Sequence, residues 1–260
     1  MAVPIRDPQK FLPRVLGIVA SDNLASIRVQ ERCGKIAEML FDKIGAATSM
    51  EALAGRFQNE SWWPWFRETE TLGDLEPKIR VVDSSIRHEG SLEMGYDPWA
   101  FIVDGDLELT GDLICETPGG RTSTLIITGS LRARNLFYAN SARIGVEGSA
   151  TFEEFVLGTW GDGGATFGAE GALSARAVLL DAQTSISARR FNCLLMGGQG
   201  WREFTPDFVD GDTDIFVPEV LDPGGLYLDF DLARQWIKEG REIFDPEQEA
   251  EWRAKCLPRS

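Results

Sequence analysis

One short corner returns along the middle of the chain: Asp104-Gly105-Asp106-Leu107, Thr110-Gly111-Asp112-Leu113, Thr128-Gly129-Ser130-Leu131, Glu147-Gly148-Ser149-Ala150 and Glu170-Gly171-Ala172-Leu173. The glycine is constant, a small or acidic residue follows it, and the next position is Leu or Ala. Glycine suits such a corner because no Cβ restricts the backbone. Alternation takes over after each corner, as in Leu107 and Leu109, Leu131 and Ala133, and Leu173 and Ala175. That is the period-two pattern of a strand with one buried face. Gly111, Gly129, Gly148 and Gly171 are 18, 19 and 23 residues apart by subtraction of their positions. A repeat of about 20 residues that carries strands and no helix predicts a solenoid. A single coil cannot bury its own apolar face, whereas stacked coils bury one another's.

Further apolar strands lie between the corners: Thr124-Leu125-Ile126-Ile127, Asn135-Leu136-Phe137-Tyr138, Glu154-Phe155-Val156-Leu157 and Ala177-Val178-Leu179-Leu180, with a last one from Phe191 to Met196. They supply a second wall of each coil. The expected fold is mostly β: a short parallel β-solenoid with helical N- and C-terminal capping segments. An antiparallel meander also produces regular strand spacing and is the alternative.

The flanks read differently, which divides the chain into a helical, Trp-rich segment (1–78), the solenoid (79–200) and an acidic loop with C-terminal capping helices (201–260). Leu24, Ile27, Ile36, Ala37, Leu40, Phe41 and Ile44 recur mostly at helical steps. Ser49 is placed to cap a second helix ending at Phe57, with Glu51 near its positive end. Ser61-Trp62-Trp63-Pro64-Trp65-Phe66 then sets four large aromatics in five positions, either as a hydrophobic plug or as a partner-binding hot spot. Thr69 to Pro77 reads as an acidic linker, Ile79 to Val82 as a strand and Glu89 to Pro98 as irregular. Beyond the glycine-rich loop Gly197-Gly198-Gln199-Gly200, Asp231 is expected to cap a helix from Leu232 to Phe244. Pro246 opens a last helix, in keeping with proline at a first helical position. Solenoid ends expose unpaired strand edges, so the helical flanks are expected to cap them.

Charge narrows the partners. With 41 acidic against 26 basic residues, the net charge is −15. Such a chain is repelled by nucleic-acid phosphates and anionic membranes, and attracts basic proteins. Cys33, Cys115, Cys193 and Cys256 are too far apart for a zinc knuckle or a redox pair. A single histidine, His88, removes most His-based chemistry. No apolar run approaches the roughly 20 residues of a membrane span and no export signal is visible, so a cytoplasmic protein with reduced thiols is expected.

The stretch from Asp104 to Ser187 resembles bacterial β-helical proteins of the bactofilin-like, polymer-forming cytoskeletal type. It is more similar still to a group with repeated Gly-Asp-Leu corners and a turn near a Tyr-Asn-His-Gly pattern. Here that turn is Thr159-Trp160-Gly161-Asp162-Gly163, with Trp160 as the aromatic and no histidine. The following corner, Gly171-Ala172-Leu173-Ser174-Ala175-Arg176, fits the pattern. The resemblance covers about a third of the chain. It implies the parallel coil and, because such proteins occur among toxin and immunity genes, an immunity role.

Catalytic signatures are sparse. Asp104, Asp106 and Asp112 sit near corners, where acids beside glycine are mostly turn formers. Asp210-Gly211-Asp212-Thr213-Asp214 has the acid density of a calcium loop without its glycine and terminal Glu positions. No Gly-Lys-Ser/Thr follows either glycine-rich loop, and there is no Gly-x-Ser-x-Gly elbow. Cys193 reads as an inert core thiol and His88 as a surface residue. The sequence therefore predicts a non-catalytic, acidic protein-binding module that uses no metal or cofactor. Its expected partner is a basic protein, most concretely a toxin domain, and its expected contact residues are Asp106, Asp112, Trp160 and Asp162. The alternative is a structural protein that forms homo-oligomers through its solenoid ends. A third option is a carbohydrate-active β-helix enzyme.

Overall fold

The computed structural model describes residues 44–71, 78–94, 98–117, 122–159, 164–181, 184–197, 213–225 and 227–256. The expected first helix around Leu24 to Ile44 falls almost wholly outside these residues. β1 (Ala46–Ala47) leads into α1 (Met50–Phe57) and α2 (Trp63–Thr71). Ser49 caps α1 as expected, its hydroxyl accepting from the Ala52 amide at 3.3 Å. Pro64 lies in the first turn of α2, where a missing N–H costs nothing.

The solenoid begins one coil earlier than the glycine corners indicate. Its first coil runs through β2 (Lys78–Val82), β3 (Ile86–His88) and β4 (Leu92–Glu93), so part of the stretch read as irregular is strand. The second coil is β5 (Trp99–Val103), β6 (Leu107–Leu109) and β7 (Leu113–Glu116). The third is β8 (Ser123–Ile127), β9 (Leu131–Ala133) and β10 (Leu136–Ala139). The fourth is β11 (Ala142–Val146), β12 (Ala150–Phe152) and β13 (Phe155–Thr159). In the last two coils the strands run on through the corners as β14 (Thr166–Leu180) and β15 (Ser185–Gly197).

Every coil-to-coil pairing is parallel, which excludes the meander. The six coils, joined by five coil-to-coil steps, form a β-solenoid with three walls. The first wall stacks β2, β5, β8, β11 and the starts of β14 and β15. The second stacks β3, β6, β9, β12 and the middles of β14 and β15. The third stacks β4, β7, β10, β13 and the ends of β14 and β15. β1 pairs antiparallel with β2 and covers the starting edge of the first wall. The inward residues of all three walls, among them Phe101, Leu125, Leu131, Tyr138 and Phe167, form one continuous core.

The described segments on either side of the solenoid lie along two outer walls. The outward residues Ala100, Ile102 and Ile126 of the first wall pack under Met50, Leu53, Phe57, Trp62, Trp63 and Phe66. The Trp-rich segment is therefore a hydrophobic plug: Trp62, Trp63 and Phe66 are buried and Trp65 is half-buried. The outward row of the third wall, including Ile114, Phe137, Phe155 and Leu157, packs under Ile215, Phe216, Ile237, Ile243 and Phe244. Helix α3 (Phe230–Lys238) is capped by Asp229 rather than Asp231, and it stops before Phe244. Gly240, at φ +70°, ends it, which frees Phe244 to bridge to Phe216. α4 (Pro246–Cys256) follows from Pro246 as expected. Among the described residues, no helix is long and apolar enough to cross a membrane.

Candidate protein-interaction surface

The second wall has no apolar outer row for a helix to cover. Its outward residues, in register from coil to coil, are Arg87, Glu108, Arg132, Thr151, Ser174 and Asn192. Arg87, Arg132, Thr151 and Asn192 are exposed, and Glu108 and Ser174 half-exposed. The row is knitted by surface contacts: Arg87 with Glu108 at 3.4 Å, Arg132 with Glu153 at 3.2 Å, and Asn192 donating to Ser174 at 3.1 Å. Exposed pairs of this kind contribute about 0–1 kcal/mol each, so they are readily exchanged for contacts with a partner.

A column of acids borders this wall along the corner shared with the first wall. The register of the preceding strands stacks Asp83, Asp104, Thr128, Glu147 and Glu170 one above another. Adjacent rungs of a sheet stand about 4.8 Å apart, so the column concentrates negative charge along one edge. Arg56 of α1 bridges the carboxylates of Asp83 and Asp104, and Thr128 donates to Asp104 at 2.9 Å. Exposed Arg189 continues this column on the last coil, beside Glu170, because Ala188 pairs with Ala169, and exposed Arg190 follows it, so the acidic character belongs to the earlier coils.

The corner acids named from the sequence divide into two kinds. Asp106 is exposed, and its carboxylate accepts from the Ser130 amide at 2.7 Å while its own amide donates to Ser85 at 3.0 Å. It links three successive coils and faces solvent. Asp112 is buried, at 4% exposure. It accepts two hydrogen bonds from Arg134, at 2.9 and 3.0 Å, and one from Asn135 at 2.9 Å. Its oxygens are occupied inside the corner between the second and third walls, and it offers a partner little. Trp160 and Asp162 lie outside the described residues. Apart from Asp83, which precedes Ser84, the acids that form the column are those just before the corner glycines. The repeated motif carries that signal in Asp104-Gly105, Glu147-Gly148 and Glu170-Gly171, on the other side of the glycine from Asp106 and Asp112.

The corner between the second and third walls carries a charged seam instead. Arg134, Glu154 and Arg176 stack there in sequence, the Glu154 amide donating to the Arg134 carbonyl and the Arg176 amide to that of Glu154. A cleft of about 230 Å³ is lined by this seam together with Arg241 and Glu242 of the C-terminal segment. Arg176 bonds Glu249 at 2.9 and 2.7 Å and Glu242 at 3.3 and 2.6 Å. The seam fastens the C-terminal segment to the solenoid. Nearby, Arg234 pairs with Glu116, and burial holds the Glu93 carboxyl above its ordinary value, Lys238 acting against the shift and Glu116 with it.

His88 is half-buried on β3. Cys193 is a buried thiol that burial pushes up to about 12. Among the described residues, no group of three or more His, Cys, Asp or Glu side chains is arranged to hold a metal ion. No protein-family model matches the chain, and neither the curated proteins nor the solved structures contain a match to it.

Proposed function

We propose that this chain is a non-catalytic binding module that captures a basic protein on the second wall and its acidic border. Its most concrete form is an immunity protein that occludes the active domain of a toxin, as the resemblance to Gly-Asp-Leu β-helical proteins implies. The observation that supports this is the division of labour among the walls: the described terminal segments bury the first and third walls and leave the second wall polar and flanked by carboxylates. A rigid surface loses little conformational freedom on binding, and an acidic one steers a cationic partner at high rate. The test is tagged capture from native cells at low and high salt, with wild type beside Glu108→Lys/Thr151→Lys. A single stoichiometric basic protein, lost with salt and lost with the variant, is the expected result. Equal recovery on both proteins rejects the wall as the contact surface.

The unpaired edge of β15 favours a second reading. This strand pairs only with β14 among the described residues, and an exposed edge is a template for another chain. A self-assembling scaffold joined through solenoid ends gives concentration-dependent filaments, which sedimentation and negative-stain microscopy detect.

A further inference from the structure

The acid column contains its own example of what it binds. Arg56 places one guanidinium across Asp83 and Asp104, on adjacent rungs. Glu147 and Glu170 also stand on adjacent rungs, because Val146 pairs in register with Ala169 just before them. The separation set by the sheet is the same, about 4.8 Å, and it suits the planar fork of an arginine better than the point charge of a lysine.

Among the described residues, no cation is paired with either Glu147 or Glu170. Burial, then Glu60, hold the Glu147 carboxyl above its ordinary value, Trp62 acts against the shift, and Glu170 and Asp104 add to it. A second observation comes from the other side of the site. The indole N–H of Trp62 is buried, the residue being 8% exposed, and it completes no hydrogen bond, yet it lies close enough to Glu147 to favour the ionised carboxylate. A donor so placed stabilises the form that a guanidinium needs. Glu147 is half-exposed and Glu170 exposed, so an incoming side chain has access.

We propose that Glu147 and Glu170 together anchor one arginine side chain of a basic protein partner, repeating between molecules the bridge that Arg56 makes within this one. The inference rests on the binding-module reading and specifies its chemistry.

The test uses the full chain and a fluorescent decapeptide of alternating arginine and glycine, followed by anisotropy at low salt, beside a lysine–glycine counterpart. Three proteins are compared: wild type, Glu147→Gln/Glu170→Gln, and Glu89→Gln/Glu153→Gln at the opposite border of the wall. The arginine peptide is expected to bind wild type and to lose about tenfold in affinity on the first variant but not on the second, a loss in proportion to one charge-assisted hydrogen-bonded pair. The lysine peptide is expected to bind wild type several-fold more weakly, as a point charge does where a fork fits. Equal loss on both variants, or none on either, overturns the anchor and leaves the acidic surface reading standing. No binding of either peptide to wild type overturns both. Free arginine competing as well as the peptide at equal concentration would place the site among small-molecule sites and overturn the proposal of a protein partner. An unchanged thermal midpoint for the first variant confirms that the fold is intact.

Discussion

Gly158 leaves open the space that the ring of Tyr138 occupies: a Cβ at 158 would stand 2.7 Å from Tyr138 Cζ and 2.4 Å from Thr184 Cγ2. Tyr138 and Gly158 are paired in register on neighbouring coils of the third wall. The ring is fully buried, and its hydroxyl donates to the Ser185 carbonyl at 3.1 Å. Gly158→Ala is therefore an overpacking substitution, expected to destabilise by roughly 1–3 kcal/mol. Urea unfolding checks it; an unchanged midpoint would show that the ring moves aside without cost.

Asn135 is expected to matter more than an isolated polar residue would. It donates to Asp112 and accepts from the Phe155 amide, both at 2.9 Å, so one buried side chain joins three coils. Asn135→Ala strands the Phe155 N–H and removes a donor from Asp112. Leaving buried groups unpaired costs about 1–3 kcal/mol each, so a loss of roughly 2–4 kcal/mol is expected in equilibrium unfolding. Asn135→Asp, which keeps the acceptor but sets a second carboxylate against Asp112, is expected to lose a comparable amount at neutral pH.

Much of this architecture was legible because the glycine corners repeat. Gly129, Gly148 and Gly171 each stack on the backbone of the coil before, and a Cβ at any of them would fall within 2.8 Å of that backbone. A repeated steric demand leaves a repeated letter. The first coil was less legible because Ser84 stands where later coils carry glycine. The Asn135 ladder uses four different residues at four rungs, Ser91, Asp112, Asn135 and Phe155, so it leaves no repeated letter. The acid column was present in the motif, but only the register of the strands shows that its members share an edge. The end of α3 is masked in the sequence because Ile243 keeps the helical period while Gly240 breaks the helix.

The C-terminal segment should loosen in acid. Glu249 is held below the ordinary carboxylate range by its hydrogen bonds to Arg176; burial opposes this, and Arg253 adds to it. A carboxyl depressed in the folded state stabilises it fully above the unfolded value of about 4.3. That contribution is lost as pH falls through the lower, folded value. Glu249→Gln is expected to be less stable than wild type by roughly 1–3 kcal/mol at pH 7. The gap should narrow as pH falls below the unfolded value, as urea midpoints at pH 7 and about pH 3 would show. A gap independent of pH would assign the cost to packing.

Cys115 and Cys193 are expected to resist thiol reagents in the native protein. Burial raises both thiols, Cys115 further by the adjacent Glu116 charge, and the thiolate is the reactive form. Maleimide labelling at pH 7 followed by peptide mass mapping should find neither modified without denaturant and both modified with it. Rapid native labelling of Cys193 would mean that the last coil opens readily.

The placement of the two flanking segments has a consequence for how the molecule comes apart. A stack in which each coil touches only its neighbours is free to fray from its ends, one rung at a time. Here the aromatic helices span the first to fourth coils along one side, Trp65 lying 3.2 Å from the Cβ position of Gly145. The C-terminal segment spans the second to last coils along another side. Each acts as a splint across joints that would otherwise bend independently. Opening any middle rung must release a splint, and with it the rungs on either side. Amide exchange should therefore report one shared opening energy through the middle of the stack, in place of the graded profile of a bare repeat.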